Sequence, residues 1–171
     1  MFPNTSPLYE DIKNLIVTRT VQIIIISLCS LVFCQIIKVI LFSIKEKKLV
    51  LKALFTTGGM PSSHTATVIS LTVSLGLIQY ADNGTLDYSF AVALVFALIV
   101  IHDAMGVRLE ASKHAKILNN LLKDEDSQTR VEQGFGKKGI LKELLGHKPI
   151  EVVGGIIVGI IFAIVGFFIV V

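Results

Sequence analysis

The sequence predicts an all-α integral membrane protein. The expected architecture is a helical bundle of about four transmembrane helices. A cytoplasmic amphipathic helix and a short second helix are expected between spans three and four. Three observations predict this. Hydrophobic residues make up 53% of the 171-residue chain and charged residues only 17%. Mean hydropathy is +0.74, too apolar to leave a soluble surface. Apolar runs near the length that crosses about 30 Å of hydrocarbon recur along the chain. At this length one membrane-embedded domain over 1–171 accounts for the whole.

The first span is expected over about 21–44, "VQIIIISLCSLVFCQIIKVILFSI". Its two cysteines, Cys29 and Cys34, read as small buried hydrophobes. They have no metal-ligand spacing with histidine and imply no oxidising compartment. The second span is expected over about 62–80, directly after the turn-rich "TTGGMPSSH". The connection "ADNGT" carries Asn-Gly, a strong turn signal. The third span is expected over about 86–103. The polar segment 106–148 follows. Its first part, "VRLEASKHAKILNNLLK", places Val107, Ala111, Ala115, Leu118 and Leu122 at helical spacing opposite a polar face. "DEDSQTRVEQGFGKKG" breaks that period, and "ILKELLGH" reads as a short helix closed by Gly146. The fourth span is expected over about 152–171. Gly155 and Gly159 there form a small-xxx-small packing pair.

Basic residues orient the chain. Lys45, Lys47, Lys48 and Lys52 lie between the first two spans. Nine more lysines and arginines lie between the third and fourth. The loop between the second and third spans has Asp82 and Asp87 and no basic residue. The positive-inside rule puts both basic loops in the cytoplasm and both termini outside. The N-terminus lacks the pattern of a cleaved signal peptide. The formal net charge is +3. No basic patch is interleaved with aromatics, so a nucleic-acid partner is not expected.

This topology brings three polar motifs to one face. "GGMPSSH" opens the second span, "HDAMGVR" closes the third, and "GHKPIE" opens the fourth. In the first, Ser62 or Ser63 caps a helix after Pro61. That leaves Gly58, Gly59 and His64 unexplained. Paired glycines, serine hydroxyls and helix N-terminal amides suit phosphate oxygens. His64 suits proton transfer near pH 7. In the second motif, Asp103 and Arg108 read either as an interfacial ion pair or as a phosphate ligand with its orienting carboxylate. His102 is expected to face lipid or a neighbouring helix. In the third, His147 and Glu151 are four residues apart. A carboxylate at that spacing holds the imidazole Nδ1–H and leaves Nε2 free to attack. Lys38 either snorkels to the interface or reaches the phosphate. Lys52 and Lys142 add positive field and are weaker ligand candidates.

The chain resembles the divergent, short-chain branch of the type 2 phosphatidic acid phosphatase and vanadium-haloperoxidase superfamily. The stretches "GGMPSSHTA", "DAMGVR" and "LKELLGHKPIEVVGG" carry the resemblance, which extends from Gln35 to the end. The superfamily's Pro-Ser-Gly-His motif matches Pro61, Ser62, Ser63 and His64, with serine replacing glycine. Its final histidine and acid match His147 and Glu151. Its arginine position is Leu141 here, so Lys142 or Arg108 is the candidate substitute. Its first motif has no clean match, although Lys52 precedes Gly58 and Gly59.

What the resemblance implies is a metal-independent, cofactor-free lipid phosphate phosphatase. Candidate substrates are phosphatidic acid, phosphatidylglycerol phosphate and a polyprenyl diphosphate. Ser62, Ser63, the amides after Gly59 and Arg108 would hold the phosphate. His147, oriented by Glu151, would attack phosphorus, and His64 would protonate the leaving oxygen. Two other classes compete: a non-catalytic binder of anionic lipid or transport accessory, and, ranked last, a halide-oxidising vanadate enzyme. The bilayer is the expected setting, and a homodimer is compatible with so small a bundle.

Overall fold

The computed structural model describes residues 7–55, 58–122, 129, 141 and 146–170. Among the described residues five α-helices carry the architecture: α1 (Pro7–Glu46), α2 (Ser63–Asn83), α3 (Tyr88–Met105), α4 (Val107–Leu121) and α5 (Pro149–Val170). A 3₁₀ turn, Leu51–Phe55, joins α1 to α2. No strand occurs among the described residues. The all-α expectation holds.

Helix α1 is much longer than the apolar run that announces it. No glycine or proline interrupts the chain between Pro7 and Glu46. The polar N-terminal stretch therefore continues the same helix, since helices stop where a breaker or cap stops them. Helix α5 begins at Pro149, earlier than the apolar run suggests. Proline is preorganised for the first helical position, and Glu151 falls in the first turn, where a carboxylate favours the dipole. Between α2 and α3 the Asn-Gly signal is realised. Gly84 adopts the left-handed conformation at φ 68° and its N–H donates to Tyr80 O at 2.9 Å. Asp87 then caps α3 by accepting the Ser89 N–H at 2.7 Å.

Among the described residues three stretches are long and apolar enough to cross a membrane: Val17–Glu46, Tyr88–Leu121 and Pro149–Ile169. Helix α2 is different in kind. It packs against α1, α3 and α5 and forms the centre of the bundle. It buries Ser63, Thr65, Ser70, Thr72 and Ser74 beside Ala66, Val68 and Ile78. Small hydroxyl residues let neighbouring backbones approach, and that lowers the helix's apolarity. Gly155 and Gly159 face α2: a Cβ at Gly155 would meet Ser62 O at 2.5 Å, and one at Gly159 would meet Ala66 O at 2.7 Å. The small-xxx-small pair thus serves α5–α2 packing inside the chain. Phe33 of α1 and Phe162 of α5 add a tilted ring contact at 5.1 Å. The short helix expected from "ILKELLGH" lies outside the described residues, apart from Leu141, Gly146 and His147.

Candidate active site

One end of this bundle collects the N-termini of α2 and α5 and the α3–α4 junction. The structure brings four of the sequence's candidates together there. His64, Asp103, Arg108 and His147 line a cavity of about 220 Å³, with Ile99, Val100 and Ala104 completing its wall.

His147 is the most tightly placed of the four. Its side chain is 3% exposed. Its backbone N–H donates to Ala104 O at 3.1 Å, which ties the residue to the last turn of α3. The preceding Gly146 makes that approach feasible. A Cβ there would run into the backbone of Arg108 and Leu109, nearer than real Cβ atoms come. On the other side, His147 Nδ1 lies 2.9 Å from Glu151 Oε2. The same oxygen accepts the Lys148 N–H at 3.3 Å. An ionised Glu151 carboxylate can only accept; Nδ1 then donates, and in the neutral ring Nε2 carries the lone pair. Among the described residues that Nε2 is buried with no hydrogen-bond partner. Buried polar atoms are normally paired, and each exception calls for an explanation. Here the atom belongs to a cavity-lining residue whose tautomer is fixed from behind.

Glu151 also connects the site to α2. Its carbonyl accepts the Ser62 N–H at 2.9 Å, so the two helix starts are joined. Ser62 is the N-cap of α2: its Oγ accepts the Thr65 N–H at 3.4 Å and lies 2.9 Å from Thr65 Oγ1. Its side chain is fully buried. Ser63 is 2% exposed and accepts a hydrogen bond from Lys38 Nζ at 3.3 Å. Neither serine lines the cavity. Both hydroxyls have partners within the fold: Ser62 Oγ caps α2, and Ser63 Oγ accepts from the buried Lys38.

His64 follows as the second residue of α2. It is exposed on the cavity rim and lies within Coulombic range of Arg108, Lys38 and His147. Arg108 Nε and Asp103 Oδ2 form an ion pair at 2.6 Å, with side chains 50% and 37% exposed. A pair this open contributes little to stability. It does fix the guanidinium at the cavity edge, and Nε is its one atom engaged in that pair. Gly59, at φ 97°, lies in the turn before α2 and is not part of the cavity wall. Lys52 lies in the 3₁₀ turn, and its side chain is outside the described residues, as is all of Lys142. Leu141, at the superfamily's arginine position, is pinned to α4 instead. Asn119 donates to its carbonyl and accepts its N–H, both at 2.8 Å. His102 is exposed, outside the cavity.

Sequence reasoning missed Ile99 and Val100 as wall residues, and Ala104 as the carbonyl that anchors His147. Both are generic features of an apolar helix end and leave no motif.

A family model described as the Divergent PAP2 family matches residues 20–162. The chain belongs to that family. It is also 40% identical over 147 residues to the uncharacterized membrane protein YuiD of Bacillus subtilis (strain 168). That match covers 81% of this chain and 89% of the relative. No solved structure matches the chain. The matched range contains every residue placed above, from Lys38 to Glu151.

Proposed function

We propose that the protein is a membrane phosphatase that hydrolyses a lipid phosphate monoester or diphosphate through a phosphohistidine. The observation that carries this reading is His147: a buried residue lining a cavity with His64 and Arg108, held at Nδ1 by Glu151, its Nε2 without a hydrogen-bond partner among the described residues. Membership of the Divergent PAP2 family supports it.

In this reading His147 Nε2 attacks phosphorus, a P–N bond forms, and the bond from phosphorus to the lipid oxygen breaks. His64 gives its proton to the leaving oxygen. Phosphorylation places positive charge on the His147 ring, which the Glu151 carboxylate offsets. Arg108 neutralises the equatorial oxygens as their charge shifts. His64, now neutral, takes a proton from water, and the resulting attack releases inorganic phosphate and restores His147. The cavity, at about 220 Å³, is smaller than the roughly 300–1,000 Å³ typical of pockets that bury a drug-sized ligand. It suits a phosphate head group, with the hydrocarbon left against the apolar helices. On the positive-inside reading, four spans place this site at the cytoplasmic face, where both basic loops lie.

A second reading has a specific observation in its favour. Ser62 and Ser63 are buried, engaged with Thr65 and Lys38, and not among the cavity-lining residues, which leaves fewer phosphate donors there than the superfamily pattern implies. That is compatible with a non-catalytic binder of anionic lipid. One assay separates the two. Purified protein in detergent with EDTA is given phosphatidic acid, phosphatidylglycerol phosphate and a polyprenyl diphosphate, and free phosphate is measured. Release that vanadate blocks is the expected result. Vanadate binding without release from any of these lipids would favour the binder.

A further inference from the structure

Lys38 does something that a lysine in a membrane helix seldom does. It lies on α1 eight residues before the helix ends at Glu46, about 12 Å along the axis at 1.5 Å per residue. The economical course is to snorkel, trailing the ammonium toward the interface. Instead the side chain is fully buried, the largest to be so among the described residues. Its hydrogen bond goes to Ser63 Oγ at 3.3 Å. An ammonium only donates, so the serine oxygen is the acceptor and anchors the charge at the first residue of α2. The charged and ionisable groups around it are Glu151 and Cys34, with His64 next along α2.

A single long hydrogen bond to a neutral hydroxyl is poor compensation for a buried cation, whose desolvation costs several kcal/mol. The Glu151 carboxylate supplies some attraction, but Glu151 is already bonded to His147 and to the Lys148 N–H. Among the described residues, a Lys38 ammonium therefore has only partial compensation. It lies beside the N-terminus of α2, which itself favours anions. Lys38 is not among the residues that line the cavity.

We propose that Lys38 is a positioning residue for the anion site: a fixed positive charge, anchored on Ser63 behind the first turn of α2, that biases the cavity toward a phosphate-like anion without contacting it. The proposal rests on the reading of the cavity as a phosphoryl site. It assigns Lys38 to binding rather than to folding, and the two roles differ in sign. Replacing a buried ion by an apolar residue of similar volume is often neutral or stabilising for the fold.

The test compares wild type, Lys38→Met and Lys38→Arg in detergent. Each is measured for Tm, for the rise in Tm on adding orthovanadate or inorganic phosphate, and for inhibition of hydrolysis by the same two ions. Lys38→Met is expected to keep or raise the Tm of the unliganded protein. It should weaken both anions by about tenfold or more, the scale of one charged interaction, and raise KM more than it lowers kcat. Lys38→Arg keeps the charge and should recover most of the anion affinity. A Lys38→Met protein with lowered Tm and unchanged anion affinity would overturn the proposal and make Lys38 structural. Equal losses in Lys38→Met and Lys38→Arg would overturn it too, because charge would not be the cause. If neither anion affects the wild type, the phosphoryl-site reading fails and this proposal fails with it.

Discussion

The α2–α3 turn and the opposite end of the bundle are built from similar polar residues, and they use them differently. At the turn, Asp87 Oδ1 accepts from Ser89 N–H, from the Ser89 hydroxyl and from Gln79 Nε2, at 2.7, 2.6 and 2.8 Å. Gln79 Oε1 in turn accepts the Asp87 N–H at 3.3 Å. Arg19 and Asp82 pair nearby at 3.3 Å. Within the Asp87, Ser89 and Gln79 cluster, donors and acceptors close on one another. At the other end, among the described residues, His147 Nε2 is buried without a hydrogen-bond partner, and the buried Lys38 amine is held by one hydroxyl. A satisfied network fixes a turn. An unsatisfied one stores interaction free energy for something that arrives later, which is the physical signature of a binding or catalytic site.

The largest effect should come from removing the open lone pair itself. His147→Ala is expected to lower phosphate release by about three orders of magnitude or more, as loss of a nucleophile does. The protein should still insert and keep a helical circular dichroism spectrum. Glu151→Gln leaves an oxygen that can accept from Nδ1–H but removes the charge, so a smaller loss of about 10–100-fold is expected. Acid-labile radioactivity on the protein after reaction with labelled lipid phosphate should vanish in the first variant and persist in the second. Full activity in His147→Ala would break the contrast between the two ends.

An intermediate effect should come from Gly146. A methyl group there meets the backbone of Arg108 and Leu109, which cannot swing aside as a side chain tip would. Gly146→Ala must move His147 or the α3–α4 junction. A displacement near 1 Å at a reacting group costs about 100-fold in rate. The expected outcome is a fall in kcat of that order with little change in vanadate affinity, since Arg108 still stands at the rim. A fall in anion affinity with kcat preserved would mean that Gly146 positions Arg108 instead.

The motifs were legible because their chemistry is dense. Pro-Ser-Ser-His, Asp with Arg five residues on, and His with Glu four residues on each demand an account beyond helix punctuation. The topology read from apolar runs placed all three together, and the structure gathers His64, Asp103, Arg108 and His147 around one cavity. Hydroxyl direction was not legible. Ser62 and Ser63 are each able to cap, to bind an anion or to accept from a cation. Which they do depends on Lys38, on a different helix, and on the Ser62 N–H meeting Glu151 O across the α2–α5 contact. The length of α1 was underread for a simpler reason. Lipid-facing hydropathy marks where a helix crosses a membrane, whereas caps and breakers mark where it ends.

The smallest effect should come from the closed end. Asp87→Ala removes the acceptor for the Ser89 N–H, the Ser89 hydroxyl and Gln79 Nε2 in one step. The carboxylate is exposed, so water can replace it for the donors at the surface. Gln79 is the less replaceable partner, because it is buried on α2 and its carbonyl also holds the Asp87 N–H. A drop of a few degrees in the detergent Tm is expected, the usual consequence of losing an N-cap. The turnover rate should be unchanged. His147 is fixed by Ala104, Glu151 and the Gly146 contact, all at the far end of α3 and α5, and none of these touches the turn. Asp87→Asn tests the same point more finely, since its amide oxygen can still cap α3 but is a weaker acceptor for Ser89. It should fall between wild type and alanine in Tm and match both in turnover. If turnover instead followed Tm across the three proteins, the two ends would be one cooperative unit, and the open polar groups around His147 would owe their placement to the closed network below them.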